Sequence, residues 1–194
     1  MKKLNTAILI FDDVEVLDFA GPFEVFSVTN ELNGYSFLNV YTVARIKVPV
    51  KARNGLSVNP DYAINEAPNP DILIIPGGSG TRQILLQDDV LSWIKVSAHS
   101  ADKVLSVCTG ALLLAKIGLL DGLKSTTHNS AFELLAEIAP KTEIVRNARF
   151  VDNGKVITSA GISAGLDMSL HVIEILYGGE VALNTAAYME YRSI

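Results

Sequence analysis

The most constraining feature of this chain is a short apolar run that ends at its only cysteine and passes at once into an Ala/Leu-rich segment. Lys103-Val-Leu-Ser-Val-Cys108 carries β-branched residues and reads as a strand, and Ala111 to Ile117 reads as a helix. Thr109-Gly110 between them permits a tight turn. A strand that turns into a helix at a nucleophilic side chain places that side chain at the carboxyl edge of a sheet. The first free amides of the helix then lie beside it. Such amides favour thiolate over thiol, which predicts a Cys108 pKa below the ordinary ~8.5. Core packing is the competing reading, because a lone cysteine often serves as a small hydrophobe.

The rest of the chain supplies a sheet for that turn. Thr6 to Phe11 and Asp71 to Ile75 are apolar without alternation, as strands covered on both faces are. Tyr35 to Ala44 is a further strand, Arg45 to Asn69 a small hairpin and connection at the sheet margin, and Lys124 to His128 a short strand. Arg149 to Ser159 reads as a hairpin about Asp152-Asn153-Gly154. Helices are expected from Gly21-Pro22 to about Asn30, with proline at the first helical position, and from Thr81 to Ala101. Ser130 is expected to cap a helix to Ala139, with Glu133 completing a capping box. Two helices, Ser163 to Tyr177 and Glu180 to about Tyr191, close the chain. Strands alternating with helices predict an α/β fold with a mostly parallel sheet and ligands bound at the carboxyl ends of its strands.

At 194 residues the chain suits one domain, residues 1–194. Its 16 basic and 21 acidic residues are scattered, leaving no footprint for nucleic acid or an anionic membrane. The apolar run after Met1-Lys-Lys stops at Asp12-Asp13, too short for a signal core, and Ala111 to Leu120 is too short to cross a bilayer. With one cysteine no internal disulfide is possible, so a cytoplasmic location is expected.

Three other groups are candidates for chemistry. Gly77-Gly78 ends the strand before the cysteine strand, where backbone can approach a reacting atom. The Gly78 and Thr109 amides could then form an oxyanion hole, although an ordinary turn explains the same residues. No Lys-Ser/Thr follows, so a phosphate loop is disfavoured. Asp12, Asp13 and Glu15 read as solvated. Asp18 lies between Leu17 and Phe19, and a carboxyl drawn into an apolar pocket keeps its proton near neutrality and can exchange it with a thiol or a substrate. Of the histidines, His99 is expected to be exposed and His171 to pack, whereas His128 follows a strand and could face the site. Cys, His and carboxylates never cluster at metal-ligand spacing, so no metal is expected.

Taken together, Leu17-Asp18-Phe-Ala-Gly21-Pro22-Phe-Glu-Val-Phe26, Ile75-Pro-Gly-Gly78, Ser106-Val-Cys-Thr-Gly110, Leu119-Leu-Asp-Gly122, Thr126-Thr-His128 and Ser159 to Asp167 resemble the ThiJ/PfpI family of the class I glutamine amidotransferase-like superfamily. Within it the pattern is most similar to the isocyanide hydratases. The resemblance implies a flavodoxin-like three-layer sandwich with a nucleophile elbow, usually in a homodimer, acting without a cofactor on a small-molecule substrate. It matches Cys108 to the nucleophile and Asp18 to its acidic partner. Gly78 and Thr109 match amide donors, and Gly77, His128 and Ile162 match the surroundings of the reacting group. The implied reaction is attack of sulfur on the terminal carbon of an isocyanide, followed by hydrolysis of the thioimidate to an N-substituted formamide.

Three departures narrow this. Thr109 stands where the peptidase-like members carry histidine, no His-x-Glu of the glutaminase type is present, and Asn129 follows Thr126-Thr-His128 where close relatives carry tryptophan. The same motifs also occur in the ligand-sensing half of AraC-type transcription regulators, which makes a non-catalytic sensor the alternative reading. Glyoxalase or deglycase activity fits less well, since those relatives use Glu at the position of Asp18 and His at that of Thr109.

Overall fold

In a computed structural model, described here for residues 2–191, the described residues form eleven strands and seven α-helices. They are β1 (Leu4–Leu9), α1 (Val16–Leu32), β2 (Leu38–Ala44), β3 (Val50–Lys51), β4 (Ser57–Val58), β5 (Tyr62–Ala63), β6 (Ile72–Ile75), α2 (Thr81–Ile84), α3 (Asp88–Ser100), β7 (Lys103–Val107) and α4 (Ala111–Lys116). Then follow β8 (Lys124–Ser125), α5 (Phe132–Ile138), β9 (Glu143–Ile144), β10 (Phe150–Asp152), β11 (Val156–Ser159), α6 (Ala164–Tyr177) and α7 (Gly179–Tyr188).

The main sheet has seven strands in the order β10-β11-β7-β6-β1-β2-β5, all parallel except for the antiparallel β10–β11 pair at one margin. Its central strands are buried throughout: every residue of β6 and β11, and Val104 to Val107 of β7, is shielded from solvent. This explains the unbroken apolar run of β6, while β7 and β11 admit only small hydroxyl residues, Ser106, Thr158 and Ser159, among their buried positions. Counting only the long parallel strands in chain order, the arrangement is 2-1-3-4-5, the flavodoxin-like three-layer pattern, with its switch point between β1 and β6. The segments after β1, β6, β7 and β11 therefore converge on one edge.

Several expected elements are corrected. Helix α1 begins at Val16, not at Gly21, so Pro22 lies inside it and Asp18 sits in its first turn rather than in a loop. Proline has no N–H for the Asp18 carbonyl four residues back. The burial of Phe19, Val25 and Phe26 outweighs that lost bond. The stretch 81–101 is two helices, interrupted at Leu85–Gln87, and the strand at Lys124 stops at Ser125. The capping box does not form: His128 caps a 3-10 turn over Asn129–Ala131, its Nδ1 accepting from Ser130 N at 3.2 Å, and Glu133 pairs with Arg146. The hairpin about Asn153-Gly154 forms as expected, as does a small hairpin of β3 and β4. No helix of the described residues is long and apolar enough to cross a membrane.

Candidate active site

Cys108 leaves β7 with φ 56°, in the left-handed region that a non-glycine residue enters only when its surroundings hold it there. Two bonds do so. Its N–H donates to the Ala160 carbonyl at 3.1 Å, and its own carbonyl accepts from Thr127 Oγ1 at 2.7 Å. The turn also requires Gly110, because a Cβ there would stand 2.0 Å from the Ile75 carbonyl oxygen. The helix that follows is short, a 3-10 turn over Cys108–Gly110 and then six residues of α4.

That shortness, set against burial, reverses the expected ionisation of the cysteine. A helix terminus contributes roughly 0.3–1 kcal/mol to an adjacent anion, whereas removing a charge from water costs several kcal/mol. Cys108 is 6% exposed, and desolvation pushes its thiol up to about 12. The charge of Asp18 adds to the rise, while hydrogen bonding from Thr109 opposes it. The expectation of a lowered thiol pKa is therefore corrected: this is a protonated thiol at neutral pH.

Asp18 is completely buried, and desolvation carries its carboxyl up to about 7, against the lowering effects of the Gly77 amide, the Cys108 thiol and the Ile162 amide. Gly77 N–H donates to Oδ2 at 3.1 Å, while Oδ1 has no hydrogen-bond partner among the described residues. Carboxyl and thiol thus influence each other without a well-aligned hydrogen bond between them. The sequence-based picture of a carboxyl held in an apolar environment agrees with this.

The two glycines exchange the places expected of them. Gly77 does not line the open space over the cysteine; it is wedged behind Asp18, where a Cβ would lie 2.5 Å from Thr109 N and 2.9 Å from Asp18 Oδ2. Gly78 does line that space, but its N–H is occupied by Thr109 Oγ1 at 2.9 Å, so the expected pairing of two free amide donors is corrected. The Thr109 amide is directed to the cysteine. The Thr109 hydroxyl also accepts from Thr81 Oγ1 at 3.3 Å, tying the elbow to the loop after β6.

A cavity of about 140 Å³ opens over Cys108, lined by Gly78, Ser79, Thr109, His128, Ser130 and Ile162, with Glu15, Arg53 and Arg82 at its rim. The structure thus places His128 and Ile162 in the lining of this cavity. Gly161 leaves room for the imidazole, since a Cβ there would lie 2.4 Å from His128 Cδ2. Ile162 adopts φ 48°, a strained conformation for a β-branched residue. His99 is exposed, and His171 packs on the Phe150 ring and bonds Asp152 at 2.9 Å, so neither takes part. Nothing in the sequence singled out Arg53 or Arg82, and Glu15 reads there as merely solvated. Arg82 two residues past Gly80 was the one available signal, since the loop after β6 was already placed at the site. Among the described residues no group of three or more His, Cys, Asp or Glu side chains is arranged to hold a metal.

The third crossover of this flavodoxin-like sheet thus ends in a strained, buried cysteine elbow with an acidic neighbour. Residues 5–175 match the DJ-1/PfpI family. The chain belongs to that family. It is 32% identical to the isonitrile hydratase of Pseudomonas putida, over 97% of this chain and 78% of the relative. It is 27% identical to the HTH-type transcriptional regulator GbdR of Pseudomonas aeruginosa over 96% of this chain, which spans 50% of that regulator's length. The crystal structure of a ThiJ/PfpI family protein from Pseudomonas syringae superposes with a TM-score of 0.90 at 30% identity, covering 100% of this chain and 77% of the other. The family thus includes enzymes as well as regulators.

Proposed function

We propose that this protein is a cysteine-dependent hydratase that converts a small isocyanide to the N-substituted formamide, working as a homodimer without a cofactor. The observation that supports this most directly is the buried Asp18 carboxyl, titrating near neutrality with Oδ1 unpartnered, next to a protonated Cys108 at the floor of a small cavity. An isocyanide carbon needs a nucleophile and a proton, and this pair can deliver both. The ionised Asp18 takes the thiol proton as Sγ bonds to the terminal carbon. The same proton then passes to that carbon, leaving an S-linked thioimidate, Cys–S–CH=N–R.

Water next adds to the thioimidate carbon while a proton reaches nitrogen. Collapse of the tetrahedral adduct breaks the C–S bond, returns the proton to sulfur and releases R–NH–CHO. One water is consumed and no electrons are exchanged. The Thr109 amide steadies negative charge on sulfur during attack, and His128 and Ser130 offer polar contacts for the entering water. Formamide production from a simple isocyanide, compared between wild type and Cys108→Ala, tests the reading. Turnover by the alanine variant at the wild-type rate would sink it.

A second reading is favoured by the similarity to GbdR and to the regulator CdhR, 26% identical over 92% of this chain. On that reading the same cavity senses a ligand without turnover. Absence of formamide across several isocyanides, with saturable binding of a small ligand that protects Cys108 from alkylation, would favour it.

A further inference from the structure

The rim of the cavity carries charges that hydration chemistry does not require. Arg53 arrives on the turn after β3, its backbone N–H anchored to the Val14 carbonyl at 2.9 Å. Its guanidinium lies 3.6 Å from the Glu15 carboxylate, so part of its charge is already answered. Arg82, on α2, is different. Five arginines fall within the described residues, and Arg45, Arg53, Arg146 and Arg149 each pair with a carboxylate there. Among those residues Arg82 makes no ion pair, and it lines the cavity over Cys108.

With Glu15 set against Arg53, the rim holds one net positive charge. The wall beneath offers a hydrocarbon substituent little to bury, because Ile162 is the only large apolar side chain among Gly78, Ser79, Thr109, His128 and Ser130. A guanidinium fork is suited to a carboxylate, and such charge-assisted hydrogen bonds are stronger than neutral ones. A volume of about 140 Å³ accommodates only a few heavy atoms beyond the reacting group. We propose that the substrate of this site is a small carboxylate-bearing electrophile, its carboxylate held at the rim by Arg82 with Arg53 beside it and its reacting carbon over Cys108. Arg82 is then the specificity-determining residue. The inference rests on the hydratase reading for the identity of the electrophile but not for the recognition of the anion.

The test compares isocyanoacetate with its methyl ester, which keeps the reacting group and removes the charge. The expected result is a kcat/KM for the anion at least about tenfold above that for the ester at low ionic strength. That ratio should fall towards one in Arg82→Gln, recover in part in Arg82→Lys, and fall less in Arg53→Gln. In parallel, calorimetry with Cys108→Ser measures binding of N-formylglycinate and of its methyl ester, with and without Arg82→Gln. Cys108-dependent turnover of both substrates with equal kcat/KM overturns the carboxylate inference and leaves the hydratase reading standing. No turnover of either, with Arg82-dependent preference for N-formylglycinate, upholds the inference and removes the hydratase. No turnover and no preference in binding overturns both.

Discussion

Asp18 and Cys108 sit side by side beneath the cavity, and each alters the proton affinity of the other. The carboxyl titrates at about 7 and the thiol at about 12, both raised chiefly by desolvation. The charge on Asp18 raises the thiol further, and the thiol in turn lowers the carboxyl. Across the range in which the carboxyl gains or loses its proton, the thiol keeps its own. A standing thiolate is therefore not the resting state, and on the proposed mechanism sulfur becomes nucleophilic only as its proton leaves during attack.

That relationship dictates a pH profile. If the Asp18 carboxylate receives the thiol proton, kcat/KM on a neutral isocyanide should rise with pH through an apparent pKa near 7 and then level off. Asp18→Asn should lose most of the rate, about a hundredfold or more, as expected for loss of a general base. A profile that is flat from pH 5 to 9, or an unchanged rate in the variant, removes Asp18 from the chemistry.

Alkylation of Cys108 should respond in the opposite direction. The charge of Asp18 holds the thiol up, so Asp18→Asn should lower the thiol pKa and speed reaction with iodoacetamide at pH 9. Turnover falls while alkylation rises. A variant in which both rates fall together would instead point to a collapsed site.

Much of this arrangement was legible in the sequence, for identifiable reasons. Strands β1, β6 and β7 are covered on both faces, so their composition alone reports burial. The cysteine elbow was legible because a strand, a glycine and an Ala/Leu segment meet within a few residues, and Gly110 proves sterically required. The start of α1 was not, because Pro22 fits the first helical turn by local preference, and only the packing of Phe19 and Phe26 carries the helix back to Val16. The sign of the Cys108 shift was likewise out of reach. It depends on how far segments distant in sequence, those carrying Gly78, His128 and Ile162 among them, close over the sulfur, which no local pattern encodes. Arg53 reaches the cavity because Asp13 N donates to the Lys51 carbonyl, Lys51 N to Asp12 Oδ1 and its own N–H to the Val14 carbonyl, contacts between distant segments that fold the hairpin onto the site.

The Thr109 hydroxyl gives a test of how the elbow is held. It accepts from Gly78 N–H at 2.9 Å in a buried position. Thr109→Val leaves that N–H buried without an acceptor, at a cost of about 1–3 kcal/mol. Thr109→Ser retains the oxygen and should lie within about 1 kcal/mol of wild type. Denaturant unfolding of both variants measures the difference. Equal stability of the two would mean that the Gly78–Thr109 bond contributes nothing to holding the loop.

The buried carboxyl also has a consequence for stability that is separable from catalysis. In the unfolded chain Asp18 loses its proton near 3.8, whereas the folded protein holds that proton until about 7. Between those values the folded state binds more protons than the unfolded one, so the contribution of Asp18 to stability falls as pH rises. The loss begins near pH 4 and is complete above pH 7. Its size is on the order of 4 kcal/mol, from 1.36 kcal/mol for each of the roughly three pH units between the two values. Asp18→Asn removes the charge at nearly constant shape. The variant should therefore be more stable than wild type at pH 8.5, and the difference should shrink towards pH 4.5. Thermal or urea unfolding across that range reads it directly, without any substrate. A stability difference that does not change with pH would mean that Asp18 carries the same charge in both states, and the proton-transfer role argued from its burial would go with it.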